Sequence, residues 1–187
     1  MAYVTPGTVA AGDVATAAAW NVITNDVIDL RSYQNRYARA KRTSGSITLS
    51  SNSVWANVDT GLDLTLNATT GDVVEYGISG ILGAQGVETY FDVVTIVSGN
   101  PVNSFCLDTT PANPPTSYGI QGWLSFDSIG RALSGSFFRT LVAGDISSGT
   151  VTLRLRFANS SATTRSFTAN TSQPLEVFAC NRGPVTT

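Results

Sequence analysis

From Gly45 onward, apolar residues recur at every second position, and this period constrains the fold more than any other feature of the chain. Leu62, Leu64 and Leu66 alternate with Asp63, Thr65 and Asn67, and Val151, Leu153, Leu155 and Phe157 alternate with Thr152, Arg154, Arg156 and Ala158. Successive side chains of a strand point to opposite sides, so these runs have one wet and one buried face. Val73–Ile78, Tyr90–Val97 and Phe137–Val142 carry apolar groups at both parities, and strands of that kind are covered twice.

Turn-forming clusters separate the runs: Thr70-Gly71-Asp72, Ser98-Gly99-Asn100-Pro101, the proline-rich Pro111–Pro115, Ala143-Gly144-Asp145 and Asn159-Ser160-Ser161. With Ser46–Ser50, Val54–Val58, Val102–Leu107, Gly119–Phe126, Arg165–Thr168 and Leu175–Cys180 the pattern predicts about ten short strands. The expected fold is mainly β, a jelly-roll-type β-sandwich over residues 45–187. Residues 1–44 are expected to form an extended N-terminal arm and one short α-helix. Thr16 is the N-cap candidate, and Trp20, Ile23, Val27, Leu30 and Tyr37 recur at spacings of three or four, so the helix runs over about residues 17–38 and is roughly 30 Å long. With Trp20 and Val27 at heptad position a, Ile23, Leu30 and Tyr37 fall at d, a seam too short to stand alone.

Chemistry is narrowed by what the 187 residues lack. There is no histidine, which removes imidazole bases and histidine-dependent metal sites. Gly-x-Ser-x-Gly and Ser-x-x-Lys are missing, and Lys41 is the only lysine. Asp59 with Asp63, and Asp72 with Glu75, are the carboxylate pairs to test for glycoside hydrolysis, but each sits by a turn or on the wet side of a strand, where solvated acids go. The run Gly80–Gly86 lacks the phosphate-binding spacing and reads as a loop or bulge. Sequons at Asn67, Asn159 and Asn170 read as polar turns, and Cys106 and Cys180 as buried free thiols or one bridge between adjacent strands. The expectation is a chain with no enzymatic activity and no cofactor or metal.

Charged residues make up 13% of the chain, about half the usual share, and the net charge is -2, which argues for surface hidden against partners and against nucleic-acid binding. No secretory leader pattern or long apolar run is present, so the chain is read as soluble, made in the cytoplasm and not bound to membrane. Arg31, Arg36, Arg39, Lys41 and Arg42 cluster between Asp29 and Asp59 with Tyr33 and Tyr37 among them, a composition suited to a protein interface; a solvated linker is the plainer alternative. Trp55, Trp123, Tyr90 and Tyr118 are the candidates for stacking on a sugar ring, against core or subunit packing. Doubly apolar strands and the heptad seam point to an oligomer of identical chains, with a trimer preferred.

The stretch from Pro6 to Asn21, with Thr16-Ala17-Ala18-Ala19-Trp20-Asn21 running into Val27-Ile28-Asp29-Leu30, resembles a segment near the start of many structural proteins of tailed-bacteriophage virions, tail fibres and other surface appendages among them. The strand domain is similar in outline to the β-sandwiches that such proteins display as trimers. The resemblance implies a homotrimer on the virion surface, of head-decoration or tail-fibre type, whose partners are capsid or tail proteins. It places the anchor at Tyr3, Val4 and onward to Trp20 and Asn21, and the trimer stem at Ile23, Val27 and Leu30. A carbohydrate-binding or receptor-binding module, with Trp55 or Trp123 on a host surface glycan, is the alternative.

Overall fold

Alternation in sequence becomes alternation in burial. A computed structural model describes residues 35–50, 54–82, 89–105, 124–126, 131–159 and 164–184. The chain divides into Met1–Asn35 and Arg36–Thr187, and apart from Asn35 the described residues belong to the second unit. Twelve strands are present among them: β1 (Tyr37–Arg42), β2 (Ser46–Leu49), β3 (Ala56–Asn57), β4 (Leu64–Asn67), β5 (Asp72–Leu82), β6 (Thr89–Val97), β7 (Asn100–Ser104), β8 (Leu124–Phe126), β9 (Arg131–Thr140), β10 (Thr150–Asn159), β11 (Arg165–Thr168) and β12 (Leu175–Pro184).

They form two six-stranded sheets in which every pairing is antiparallel. The first runs β1-β12-β5-β11-β2 with β9 on β5; the second runs β3-β10-β6-β7 with β4 on β10 and β8 on β6. Among the described strands β6 and β7 alone are both consecutive and paired. Their two-residue connection, Ser98 and Gly99, has φ of 51° and 83°, and positive φ at both positions matches the right-handed twist of the flanking strands. The other connections leave one neighbour and return to another, and the chain is a mainly β, antiparallel sandwich.

The core lies between the sheets. Tyr76 and Ile78 of β5 and Val177 and Ala179 of β12 meet Leu64 of β4, Phe91 of β6 and Leu153 and Leu155 of β10. The rings of Phe91 and Phe167 cross from sheet to sheet with centroids 5.6 Å apart. Burying each Leu, Val or Phe contributes about 1.5–3 kcal/mol, so the period-two runs suffice to bring the two sheets together.

Several expectations change. The helix expected over 17–38 lies outside the described residues up to position 34, but its last two residues, Tyr37 and Ala38, are in β1. That segment alternates too: Ala38 and Ala40 pack against the core while Tyr37, Arg39 and Lys41 face outward. Pairing with β12 from Tyr37↔Cys180 to Arg42↔Leu175 overrides the helical spacing. The sandwich therefore includes a strand on the N-terminal side of Gly45. Gly80 is inside β5 rather than a loop, with a Cβ there held to 2.9 Å from Leu175. Asn159 is buried at the end of β10 rather than in a turn, bonded to Thr89 and to the Leu49 carbonyl.

Candidate functional site

The strands with apolar residues at both parities fare differently. On β6 every residue from Thr89 to Ile96 is buried. The chain thus covers both sides of this strand by itself, and the expected partner is not needed there. On the outward side of β6 Asp92 sits directly opposite Arg156 of β10, with Nε to Oδ2 at 2.7 Å, and accepts a second hydrogen bond from the Ser104 hydroxyl at 2.8 Å. Asp92 is fully buried and Arg156 nearly so. The Arg156 guanidinium lies 4.5 Å from the centre of the Trp55 ring, so one of the two tryptophans considered for sugar stacking has a cation on its face. Tyr90 is buried, while Trp123 and Tyr118 lie outside the described residues, as do Tyr3, Val4, Trp20, Asn21, Ile23, Val27, Leu30 and Arg31.

On β9 the apolar pair splits. Phe137 is buried and Phe138 is 57% exposed. Phe138 belongs to the outward side of the first sheet, where register aligns side chains in rows across β1, β12, β5 and β9. One row is Tyr37, Cys180, Glu75 and Phe138; the next is Arg39, Phe178, Gly77 and Ser136; the third is Lys41, Glu176, Ser79 and Ser134. Tyr37, 56% exposed, stacks on Phe178 with centroids 6.5 Å apart and planes at 21°. Phe178 lies flat because Gly77 is beneath it: a Cβ at Gly77 would overlap the ring. Tyr37 and Phe178 thus form one stacked pair, Phe138 lies in the Tyr37 row beyond Cys180 and Glu75, and Arg39, Lys41 and Arg182 project from the same side.

Two of the three cations on this side are paired within it, and Lys41 is exposed beside them. Arg39 donates to Glu176 at 2.6 Å, and Arg182 to Glu75. Two of the five residues of the basic cluster are paired with acids, Arg39 with Glu176 and Arg42 with Asp59 at 2.8 Å, and the Arg36 main-chain carbonyl accepts from the Asn181 amide. Cys180 is free and half-buried in the aromatic row, where a fully buried thiol was expected.

The carboxylates considered for catalysis are held by partners. Asp59 caps the short turn Thr60–Leu62 through the Gly61 amide at 2.8 Å while binding Arg42. Asp63 takes a two-pronged contact from Arg154, at 3.0 and 2.6 Å. Asp72 and Glu75 are buried rather than solvated, because Asn181 and the Thr69 amide bind the first and Arg182 binds the second. Burial pushes the Asp72 carboxyl up, but the hydrogen bonds from Asn181 and Thr69 outweigh it and its pKa lies below the ordinary value. Asp145 behaves alike: burial raises it, and the Val142 amide, Asn103, Thr95 and Arg139 together bring it below the ordinary value. Among the described residues no group of three or more acidic or cysteine side chains is placed to hold a metal ion. No described helix is long and apolar enough to cross a membrane, which leaves membrane-crossing strands unaddressed.

The open side of the first sheet is not singled out by the sequence pattern, which groups Phe138 with Phe137 as doubly covered and puts Tyr37 on a helix seam. The signal that could have found it is the parity of β12, where Glu176, Phe178 and Cys180 share the side opposite Leu175, Val177 and Ala179.

No protein-family model and no curated protein sequence matches the chain. Among solved structures it is similar to infectious bursal virus derived T=1 particles, with 11% identity and a TM-score of 0.39 over 81% of this chain and 37% of that one. The chain thus spans little more than a third of that protein. It is also similar to Eiger TNF from S. frugiperda, with 13% identity, a TM-score of 0.39 and 82% and 96% of the two chains covered. Tobacco streak virus coat protein gives 10% identity and a TM-score of 0.31, over 82% and 90% of the two chains. Likenesses of this order assign the chain to none of these groups.

Proposed function

We propose that the chain is a structural component of a tailed-phage virion, a homotrimer held to capsid or tail by its N-terminal arm and displaying β-sandwich heads outward, with no catalytic step. The observation that carries this reading is the open aromatic side of the first sheet, on a domain whose other outward strand, β6, is closed and whose acids are committed to caps and ion pairs. Such a domain is equipped to be packed against. The resemblance of residues 6–30 to virion proteins supports the particle as the setting. It assigns the grip to Tyr3, Val4, Trp20 and Asn21 and the stem to Ile23, Val27 and Leu30; composition separately suits the basic segment of Arg31, Arg36, Arg39, Lys41 and Arg42 to a contact with a neighbouring protein. Repeating the arm on every subunit makes later attachments intramolecular, so weak grips sum to a durable one.

Removal of residues 1–20 tests the reading. The truncated protein is expected to keep the sandwich and a three-chain mass while losing its place on particles seen by electron microscopy, where the full chain decorates them. Decoration by the truncated protein, or a full chain that leaves particles bare, contradicts it.

A further inference from the structure

We propose that Asn181 and Asp72 form a clasp that holds the root of residues 1–35 on the sandwich, so that a pull on that segment is passed to both sheets instead of peeling β1 away. Its use on a particle rests on the anchoring reading above; the joint itself does not.

The chain enters the sandwich through a weakly packed strand. β1 lies at the edge of the first sheet, and among the described strands it pairs with β12 alone. The side chains it packs against the core are Ala38 and Ala40, which bury little apolar area. Its ion pairs, Arg39 with Glu176 and Arg42 with Asp59, are partly exposed and contribute little. Local opening begins in segments of this kind, next to a chain end.

At the point of entry the packing changes. Leu175, Val177, Ala179 and Asn181 share the buried side of β12, so an amide stands where the alternation favours another apolar group. Its Nδ2 donates to Asp72 Oδ2 at 2.7 Å and to the Asn67 carbonyl at 2.8 Å, and its Oδ1 accepts from the Gly183 amide at 2.8 Å. The Asn181 main-chain amide donates to the Arg36 carbonyl at 2.7 Å, and Asp72 Oδ2 also accepts from the Thr69 amide at 2.9 Å. Asn67 ends β4 in the second sheet and Asp72 begins β5 in the first. One buried residue thus ties the entering chain, the end of β12 and both sheets. An irregularity in β12 between Asn181 and Pro184 brings the Gly183 amide back to it.

Folding alone does not ask for this arrangement. An apolar residue in the row would add to the core, whereas a buried amide and carboxylate are tolerated only while their bonds are made; what a fully bonded network adds is one fixed geometry. Here that geometry is fixed at the root of the preceding segment. β1 begins with Tyr37 opposite Cys180, beside the end of β12, so tension between the residues before β1 and those after β12 falls first on Asn181.

The experiment uses the full chain, free in solution. Single-molecule pulling between Met1 and Thr187 and amide hydrogen exchange are compared for the parent, Asn181→Leu and Asn159→Leu. Asn159 is a second buried asparagine, bonded to the Leu49 carbonyl and to Thr89 at the far end of β10 from the pairing with Asn67, and it controls for the loss of a buried amide as such. In Asn181→Leu the amides of β1 and of residues 68–72 are expected to exchange about tenfold faster or more, with those of Val93 and Leu155 far less changed. Under force β1 is expected to leave as a separate early step. Asn159→Leu is expected to show neither effect. If Asn181→Leu does not fold, Asp72→Asn, which keeps the size of the side chain and removes its charge, takes its place.

Equal acceleration throughout the sandwich, no acceleration, or the same early step in Asn159→Leu overturns the clasp and leaves the anchoring reading untouched. That reading fails separately, on particles that the full chain leaves bare.

Discussion

Strands β6 and β9 have sequences of the same kind and surroundings of opposite kinds. Each carries apolar residues at both parities. From Thr89 to Ile96 β6 is buried throughout, and its outward side holds the ion pair of Asp92 with Arg156; β9 buries Phe137 and leaves Phe138 open beside Tyr37 and Phe178. Apolar residues on two sides of a strand do not by themselves say whether its second side is covered. For β6 the cover is the chain's own. For β9 the second side stays open at Phe138.

The largest test of this contrast is the buried ion pair. Asp92→Ala leaves the Arg156 charge without its partner in a closed environment, which costs about 3–5 kcal/mol, read as a lowered denaturant midpoint. Replacing both residues by apolar ones is expected to cost far less. A single substitution within 1 kcal/mol of the parent would mean that the outward side of β6 is wet, and the contrast would be lost.

Gly77→Ala comes next. The new methyl group displaces the Phe178 ring, at about 1–3 kcal/mol, and breaks its stacking with Tyr37. An unchanged midpoint would mean that the ring is not held against the sheet. In the core, Tyr76 buries a hydroxyl that finds no hydrogen-bond partner among the described residues, and burial pushes its pKa up. Tyr76→Phe removes that polar group and keeps the ring, so stability rises by about 1 kcal/mol in thermal denaturation. A loss of that size would reveal a partner for the hydroxyl. The smallest effect on stability belongs to Phe138→Lys, within about 0.5 kcal/mol for the single chain because the side chain is solvated there. A loss above 2 kcal/mol would place Phe138 in the fold rather than on an open surface.

Much of the sandwich was legible because burial on one side writes itself into the sequence every second residue. Leu64 and Leu66, Val151 to Phe157 and Leu175 to Ala179 are core positions that alternation alone picks out. The segment Tyr37–Arg42 was misread because tyrosine and arginine fit a helix seam as well as a strand, and only pairing with β12 decides between them. The acids were read as solvated because polar position predicts exposure when partners are unknown; Asp72 with Asn181 and Glu75 with Arg182 are partners more than a hundred residues apart in the chain. The open side of the first sheet was illegible for the same reason. Tyr37, Phe138 and Phe178 come from three distant strands, and only register places them on one side.

Sedimentation equilibrium of the intact chain over a wide concentration range decides whether it assembles. A reversible three-chain species that the double variant Tyr37→Lys/Phe138→Lys converts to single chains is the expected result. A mass of one chain at every concentration, or a three-chain species indifferent to both lysines, would contradict it.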